Sequence, residues 1–205
     1  RCETVDLVES KPELARKLEK EWLSWAIRMK INPYYEFVEK NPTRPLRRIP
    51  KDKKGYFLLK HGDQVDRAHA PDFTQKGFEI IVSMKRGKET DGVLVSHGGI
   101  NSGYSLYLDE GRIAFACRNN GDLKKILSEK VLPSEKVTVT AKLRNDGHAQ
   151  VFVDNELLVE NGSFELIKTF PQDPLEVGND SLSSVSDYQR RTKFKGEISK
   201  VLIKM

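Results

Sequence analysis

The sequence predicts a mainly β protein: an antiparallel β-sandwich preceded by one amphipathic α-helix. Three observations support this: an apolar stripe of helical period near the N-terminus, a change to period-two alternation after Gly55, and turn residues at regular intervals from there to Met205. At 205 residues the chain can bury a core without disulfides or metals. The composition is typical of a globular protein, and no apolar run approaches the ~20 residues of a membrane span.

The helix is predicted over residues 11–30. Ser10 is a good N-cap with Glu13 in the capping-box position, and Pro12 stands in the first turn, where its missing N–H is tolerated. Pro33 ends the helix because the residue before a proline is pushed out of the helical region. The apolar stripe, with spacings of four, four, three and four, comprises Leu14, Leu18, Trp22, Trp25 and Met29.

The stretch that follows, "NPYYEFVEKNPTRPLRRIPKDKKG", has four prolines and little periodicity, which predicts a connector. Residues 44–54 hold six basic residues and one acid. They form either a strip that contacts phosphate or sulfate groups or a solvated linker. The interleaved aromatic pattern of an RNA-binding sheet is missing, so no nucleic-acid partner is expected. The predicted organisation is a helical segment at 1–38, a linker at 39–54 and a sandwich at 55–205.

Ten to twelve short strands are predicted in the sandwich. Phe78, Ile80 and Val82 alternate in one strand, and turns are predicted at residues 109–111, 145–147 and 154–155. In the last strand Ile198 is out of step with Val201 and Ile203, which predicts a β-bulge. The strand-bearing stretches are "GYFLLKHG", "GFEIIVSMKR", "DGVLVSHGG", "GYSLYLDEGRIAFACRNNG", "EKVTVTAKLRNDGHAQVFVDNELLVENG", "PLEVGND" and "FKGEISKVLIKM".

The two cysteines do not form a metal or redox motif. Cys117 alternates with Ile113 and Phe115, which predicts a buried strand thiol. A disulfide between Cys2 and Cys117 is the alternative that the sequence leaves open.

The strands after Phe73 resemble the laminin-G/concanavalin A-like jelly-roll superfamily. The resemblance rests on "GYSLYLDEGRIAF", "VFVDNELLV" and "LEVGND" taken together, and it extends to Met205. It implies that the sandwich is a jelly roll. Asn155 stands where many relatives have glycine in the turn after the aspartate, and asparagine also tolerates a positive φ.

The N-terminal stretch "VDLVESKPELARKLEKEWLSWAIRMKINPYYE" resembles the closing segment of arylsulfatases of the alkaline-phosphatase-like superfamily. The matching positions are Pro12, Glu13, Leu14, Leu18, Trp22, Trp25, Ala26, Arg28 and Pro33. The resemblance implies the C-terminal region of a secreted or periplasmic bacterial sulfatase whose catalytic domain lies outside this chain. The helix stripe would be the interface with that missing domain. Without it, the stripe is expected to dock on the sandwich or to form a homodimer contact, because a large exposed apolar patch is uncommon.

The sequence predicts no catalytic residues. Sulfatases convert a cysteine or serine of a C/S-x-P/A-x-R motif to formylglycine, and neither Cys2 nor Cys117 stands in one. The calcium ligands of the parent enzyme would also lie in its missing domain, so the chain alone is expected to be inactive. A glycosidase would need paired carboxylates on facing strands, whereas the acids here cluster in turns.

Three sets of binding residues are candidates. Asp91, Asn179 and Asp180 could hold a structural calcium at strand ends, as jelly-roll relatives often do, or be plain turn residues. His97 could contact a ligand at a strand end or be a turn histidine. An aromatic platform for a sugar could be built from Tyr104, Tyr107 and Tyr188, for which partial burial in the sandwich is the alternative. No other cofactor is expected.

Two functions are therefore hypothesised. The leading hypothesis is a non-catalytic C-terminal accessory domain of an arylsulfatase, which stabilises the catalytic domain or shapes access to it. The alternative is a lectin-like, carbohydrate-binding module for a sulfated or other anionic polysaccharide.

Overall fold

The computed structural model describes residues 8–28, 49–52, 54–87, 91–133, 135–188 and 193–205. The chain divides into two compact units, Arg1–Arg47 and Arg48–Met205, which are described separately. Within the described ranges, no helix is both long enough and apolar enough to cross a membrane.

The described part of the first unit is helix α1, Pro12–Arg28. Pro12 is its first residue, one position after the predicted start and within the predicted first turn. The Lys11 carbonyl accepts a hydrogen bond from the Ala15 amide with an N–O distance of 3.1 Å. The four described residues of the apolar stripe, Leu14, Leu18, Trp22 and Trp25, keep 42–56% of their surface exposed. Met29, the fifth, lies outside the described residues, and what covers the stripe stays a prediction.

The second unit is a sandwich of two six-stranded antiparallel sheets, which confirms the predicted fold class. The first sheet has the strand order β1-β12-β3-β8-β9-β10, and the second has the order β2-β11-β4-β5-β6-β7. The strands are β1 (Phe57–Leu59), β2 (Gln64–Val65), β3 (Phe78–Lys85), β4 (Gly92–Gly98), β5 (Ser102–Asp109), β6 (Arg112–Asn119), β7 (Asp122–Val131), β8 (Lys136–Leu143), β9 (Ala149–Val153), β10 (Glu156–Asn161), β11 (Leu175–Val177) and β12 (Glu197–Lys204).

The core lies between the sheets and is built from the alternating positions that the sequence indicated. In β3 the buried positions alternate with partly exposed ones, and Phe78, Ile80 and Val82 all point inward. Cys117 is a free, buried thiol within the same core, so the predicted strand thiol is confirmed. Burial in this apolar interior raises the pKa of its thiol well above the ordinary value.

Tight turns join several neighbouring strands and fix their register. The β9–β10 hairpin turns through Asp154 and Asn155, whose φ angles are 47° and 72°. This left-handed pair matches a two-residue primed turn, which suits the twist of paired strands. The bulge expected in the last strand is also present, as a register shift between Ile198 and Lys200 where β12 pairs with β3.

Strand β7 was missed by the sequence reading. Its apolar residues do not alternate cleanly because Leu123 and Leu127 face one side of the second sheet while Ile126 faces the core. A further irregularity shifts its register against β6, between Arg112 and Ala114. The period-two signal is therefore broken twice within one ten-residue strand.

Candidate functional site

The outer face of the second sheet is covered by the segment 179–188, which follows β11. Val93, Tyr107, Ala114 and Ala116 point outward from this sheet, yet none is more than 3% exposed. Tyr188 packs on them, with its ring centroid 4.9 Å from that of Tyr107 in an edge-on arrangement. The predicted platform residues Tyr107 and Tyr188 thus lie in a layer between the sheet and its covering segment.

A hydrogen-bond network centred on Asp180 fastens this segment. The Tyr188 hydroxyl lies 2.7 Å from both Asp180 Oδ2 and Ser105 Oγ. Because that hydroxyl has one proton, it donates to the carboxylate and accepts from the serine. The Val185 amide also donates to Asp180 Oδ2, at 3.0 Å. Burial raises the pKa of Asp180, and burial together with the neighbouring Asp180 charge raises that of Tyr188.

The three candidate calcium residues are engaged in protein contacts. Asp180 Oδ2 accepts the hydrogen bonds of the network just described. The carbonyl of its neighbour Asn179 accepts a hydrogen bond from Ser96 Oγ at 2.9 Å. Asp91 Oδ1 accepts a hydrogen bond from the Glu110 amide at 2.7 Å. Within the described ranges, no three acidic, histidine or cysteine side chains come together as a metal-binding group. A bound calcium ion stays a prediction.

His97 and Tyr104 lie inside the sandwich rather than at its surface. His97 is in β4 beside Tyr104 of β5, with 5.5 Å between their ring centroids, and both residues are at most 1% exposed. Among the residues that the structure describes, neither ring nitrogen of His97 has a hydrogen-bond partner, and the Tyr104 hydroxyl has none either. Burial lowers the pKa of His97 to about 4, so the imidazole is neutral at pH 7.

The first sheet carries a groove on its outer face, at the end of the sheet where β3 begins and β8 ends. It has a volume of about 480 Å³. Its lining comes from the start of β3, the end of β8 with its following turn, and the end of β12. These lining residues are Gly77, Phe78, Glu79, Lys142, Leu143, Arg144, Asn145, Asp146, Lys204 and Met205.

Hydrogen bonds and ion pairs hold the polar side chains of the groove in place. Glu79 accepts a hydrogen bond from the Tyr56 hydroxyl at 2.8 Å and pairs with Lys142 at 3.1 Å. Arg144 pairs with Asp146 at 2.9 Å. The Gly77 amide donates to Asn145 Oδ1 at 2.6 Å and so joins β3 to the turn after β8.

The charges in the groove are mixed, with a small positive excess. Lys142, Arg144 and Lys204 supply three cations against the two carboxylates of Glu79 and Asp146. The hydrogen bond from the His148 amide lowers the pKa of Asp146, so this carboxylate is ionised at neutral pH. Such a surface offers both donors and acceptors, as hydroxyl-rich ligands require, and tolerates an additional anionic group.

Sequence reasoning did not single out these groove residues. The sequence predicts a turn at Asn145 and Asp146, and the structure confirms it. Glu79 and Lys142 occupy outward positions of β3 and β8, and their proximity depends on the pairing of these two strands. A prediction of that pairing would have brought the two side chains together.

Comparisons with known proteins identify the fold. No protein-family model and no curated sequence matches the chain. A Ruminococcus gnavus sialidase module, CBM40 bound to α2,3-sialyllactose, matches 72% of this chain and 88% of its own at 17% identity, with a TM-score of 0.54. Mouse laminin α1 domains LG4-5 match 73% of this chain and 38% of theirs at 17% identity, with a TM-score of 0.51.

A larger protein contains a similar domain. The NanB sialidase from Streptococcus pneumoniae, as its K499G mutant, matches 72% of this chain at 12% identity with a TM-score of 0.55. The match spans only 25% of that sialidase chain. At these identities the likeness concerns the fold alone. The second unit of this chain is therefore a jelly-roll β-sandwich of the kind found in laminin-G-like and carbohydrate-binding domains.

Proposed function

We propose that residues 48–205 form a non-catalytic carbohydrate-binding module for an anionic glycan. The observation that carries the proposal is the groove on the first sheet, where fixed donors and acceptors stand beside three cations. Sugar hydroxyls both donate and accept hydrogen bonds, and a carboxylate or sulfate group adds charge-assisted bonds to lysine and arginine. The fold shared with a module seen bound to sialyllactose supports the same function.

The contacts of Lys142 and Lys204 indicate how each would take part in ligand binding. Lys142 is already paired with Glu79, so a ligand would share its ammonium group, which carries three donors. Lys204 donates to the Lys54 carbonyl at 2.9 Å and lies 5.0 Å from the Tyr56 ring centroid. These contacts hold the ammonium groups of Lys142 and Lys204 in place before a ligand binds. Less side-chain entropy is therefore lost on binding.

A titration of the purified chain with sialyllactose and with sulfated oligosaccharides tests the proposal. We expect Lys142→Ala to weaken binding of the anionic glycan about five- to tenfold, as loss of one charged hydrogen bond implies. Lys136→Ala is the matched control, because Lys136 lies on the same strand and face at the far end of β8. Equal affinities of the two variants, or no binding of any glycan, would overturn the proposal.

A second candidate function rests on the sequence of α1. We propose that the module belongs to an arylsulfatase, follows its catalytic domain, and acts outside the cytoplasm as a secreted or periplasmic protein. The resemblance of "PELARKLEKEWLSWAIR" to the closing segment of that family and the exposed apolar stripe of α1 support this proposal. The coding sequence immediately upstream of Arg1 tests it. A sulfatase motif there is the expected result, and an unrelated upstream domain would refute it.

A further inference from the structure

A second surface, at the end of the sandwich where β4 meets β5, has the features of an anion receptor. We call this surface the rim and define it by Arg67, Ile100, Phe170 and Leu182. Arg67 lies in a short 3-10 turn after β2, Ile100 lies between β4 and β5, and the other two flank β11. None of these four residues lines the groove described above.

Hydrogen bonds join the segments that carry the rim. Ser102 Oγ donates to the Thr169 carbonyl at 2.6 Å, and the Ile100 amide donates to Ser183 Oγ at 3.3 Å. The Ser183 amide in turn donates to Asp173 Oδ2 at 3.2 Å. Residues before β5, before β11 and after β11 are thus held against one another, so the rim is a fixed surface.

Arg67 is held at two points. Its Nε donates to the Pro171 carbonyl at 3.1 Å, and its guanidinium carbon lies 4.9 Å from the centroid of the Phe170 ring. Neither of these contacts is with a carboxylate, so neither neutralises the positive charge of the guanidinium. The four N–H donors on its two terminal nitrogens are the groups that bind carboxylate or sulfate in a bidentate manner.

The exposure of the two apolar side chains of the rim suggests that a ligand completes this surface. Ile100 and Leu182 are the most exposed large apolar side chains of the described sandwich, at 66% and 65%. Exposed apolar side chains rimmed by polar groups can mark a ligand-binding surface.

We propose that Arg67 receives the carboxylate or sulfate group of an anionic sugar, whose ring packs on Ile100 and Leu182. The inference rests on the proposed carbohydrate-binding function and names a second contact for the same ligand class. The apolar face of a sugar ring suits the two aliphatic side chains, and its charged substituent suits the arginine. A polysaccharide that reached both the groove and the rim would gain avidity from the two contacts.

Small anions test the receptor without any sugar. The Arg67 side-chain Nε–H signal is followed by NMR during titration with sodium sulfate, sodium acetate and sodium chloride at equal ionic strength. We expect a saturable shift with sulfate or with acetate that chloride does not produce, and the stronger of the two identifies the preferred group. An identical response to all three salts would overturn the inference.

Oligosaccharide binding then tests the role of Arg67 in recognition. Arg67→Lys keeps the charge but removes the two-pronged donor geometry, and we expect it to lower affinity for the preferred anionic oligosaccharide about tenfold. Arg112→Lys is the control, because Arg112 already pairs with Glu110 at 3.3 Å. It also begins β6, whose other end pairs with Ser102 near the rim.

The two proposals fail in different ways. If Lys142→Ala weakens binding while Arg67→Lys leaves it unchanged, the rim inference is wrong and the groove stands. If no glycan binds the unsubstituted chain, both the groove proposal and the rim inference are wrong.

Discussion

The outer faces of the two sheets differ in what covers them. On the second sheet, the paired residues Tyr107 and Ala114 are 3% and 1% exposed beneath the segment 179–188. On the first sheet, Ile81 and Thr140 are likewise paired side by side, and both stay partly exposed. A jelly roll has two faces that could receive a ligand, and in this chain one of them is already filled by the chain itself.

The difference originates in the connections between strands. Strands β8, β9 and β10 of the first sheet follow one another through short turns, so the connections between these three strands do not fold over them. The second sheet is followed after β11 by a stretch of about twenty residues before β12, and residues 179–188 of that stretch lie on its outer face. The open face is therefore the one on which a binding groove can form.

The largest expected effect comes from removing a side chain under the covering segment. Tyr107→Ala deletes an aromatic ring packed on Val93 and Tyr188 and leaves Ser186 without its 3.0 Å hydroxyl partner. We expect a loss of about 4 kcal/mol in the free energy of unfolding, as for other buried aromatic residues. Ile81→Ala, on the open face, should cost only about 1 kcal/mol.

Urea denaturation monitored by circular dichroism measures both variants. Similar losses for the two would show that the second sheet is no better covered than the first, and would contradict the comparison.

A pH dependence of stability is expected from His97 inside the sandwich. Its pKa in the folded state is lowered from 6.5 to about 4, chiefly by burial, against the opposing charge of Asp72 and with the aid of Arg67. A lowered histidine pKa contributes stability that is fully present above pH 6.5 and is lost as pH falls towards 4. The difference between these two pKa values corresponds to about 3 kcal/mol of unfolding free energy. Asp180, whose pKa burial raises, acts in the opposite direction.

The His97 contribution can be isolated by comparing variants across pH 4 to 7. His97→Leu should flatten the decline in unfolding free energy, whereas His148→Gln, at an exposed histidine, should keep it. An unchanged slope in His97→Leu would mean that another group causes the decline.

A smaller effect is expected from loosening the cover of the second sheet. Asp180→Ala leaves the buried Val185 amide without its partner and removes the acceptor of the Tyr188 hydroxyl. We expect a loss of about 2 kcal/mol, and faster amide hydrogen exchange at Val185 than in the parent chain. Asp122→Ala, at an exposed position of β7, should change neither quantity. Unaltered exchange at Val185 would indicate that Asp180 does not hold the segment.

Much of the fold could be predicted from local patterns. The alternation of Phe78, Ile80 and Val82 and the turn at Asp154-Asn155 are short-range signals, and the structure confirms both. The bulge after Ile198 was also visible, because one residue out of phase reverses the inward face.

The site could be predicted far less well, because it depends on long-range pairing. Glu79 and Lys142 are separated by more than sixty positions, and Lys204 lies a further sixty along the chain. The segment 179–188 has no periodicity that would indicate which surface it covers. His97 follows an apolar run, and its placement in the core opposes the usual preference of polar side chains for water.

The smallest effect on stability is expected in the groove. Lys142→Ala should lower the unfolding free energy by less than about 1 kcal/mol, because its pairing with Glu79 at 3.1 Å is partly solvent-exposed. A thermal melt of this variant beside Lys136→Ala measures the difference. A loss above about 2 kcal/mol would show that the groove residues serve the fold, and their effect on binding could not then be read separately.

Mapping a bound glycan on the two faces tests the central claim most directly. Backbone amide shifts are followed by NMR while an anionic oligosaccharide is added to the isotope-labelled chain. The account predicts shifts at Gly77, Glu79, Asn145 and Lys204 on the first sheet, with the amides of Ser105 and Tyr107 unchanged. Shifts concentrated at Ser105, Tyr107 and Tyr188, with the amide signals of the groove residues unchanged, would contradict it.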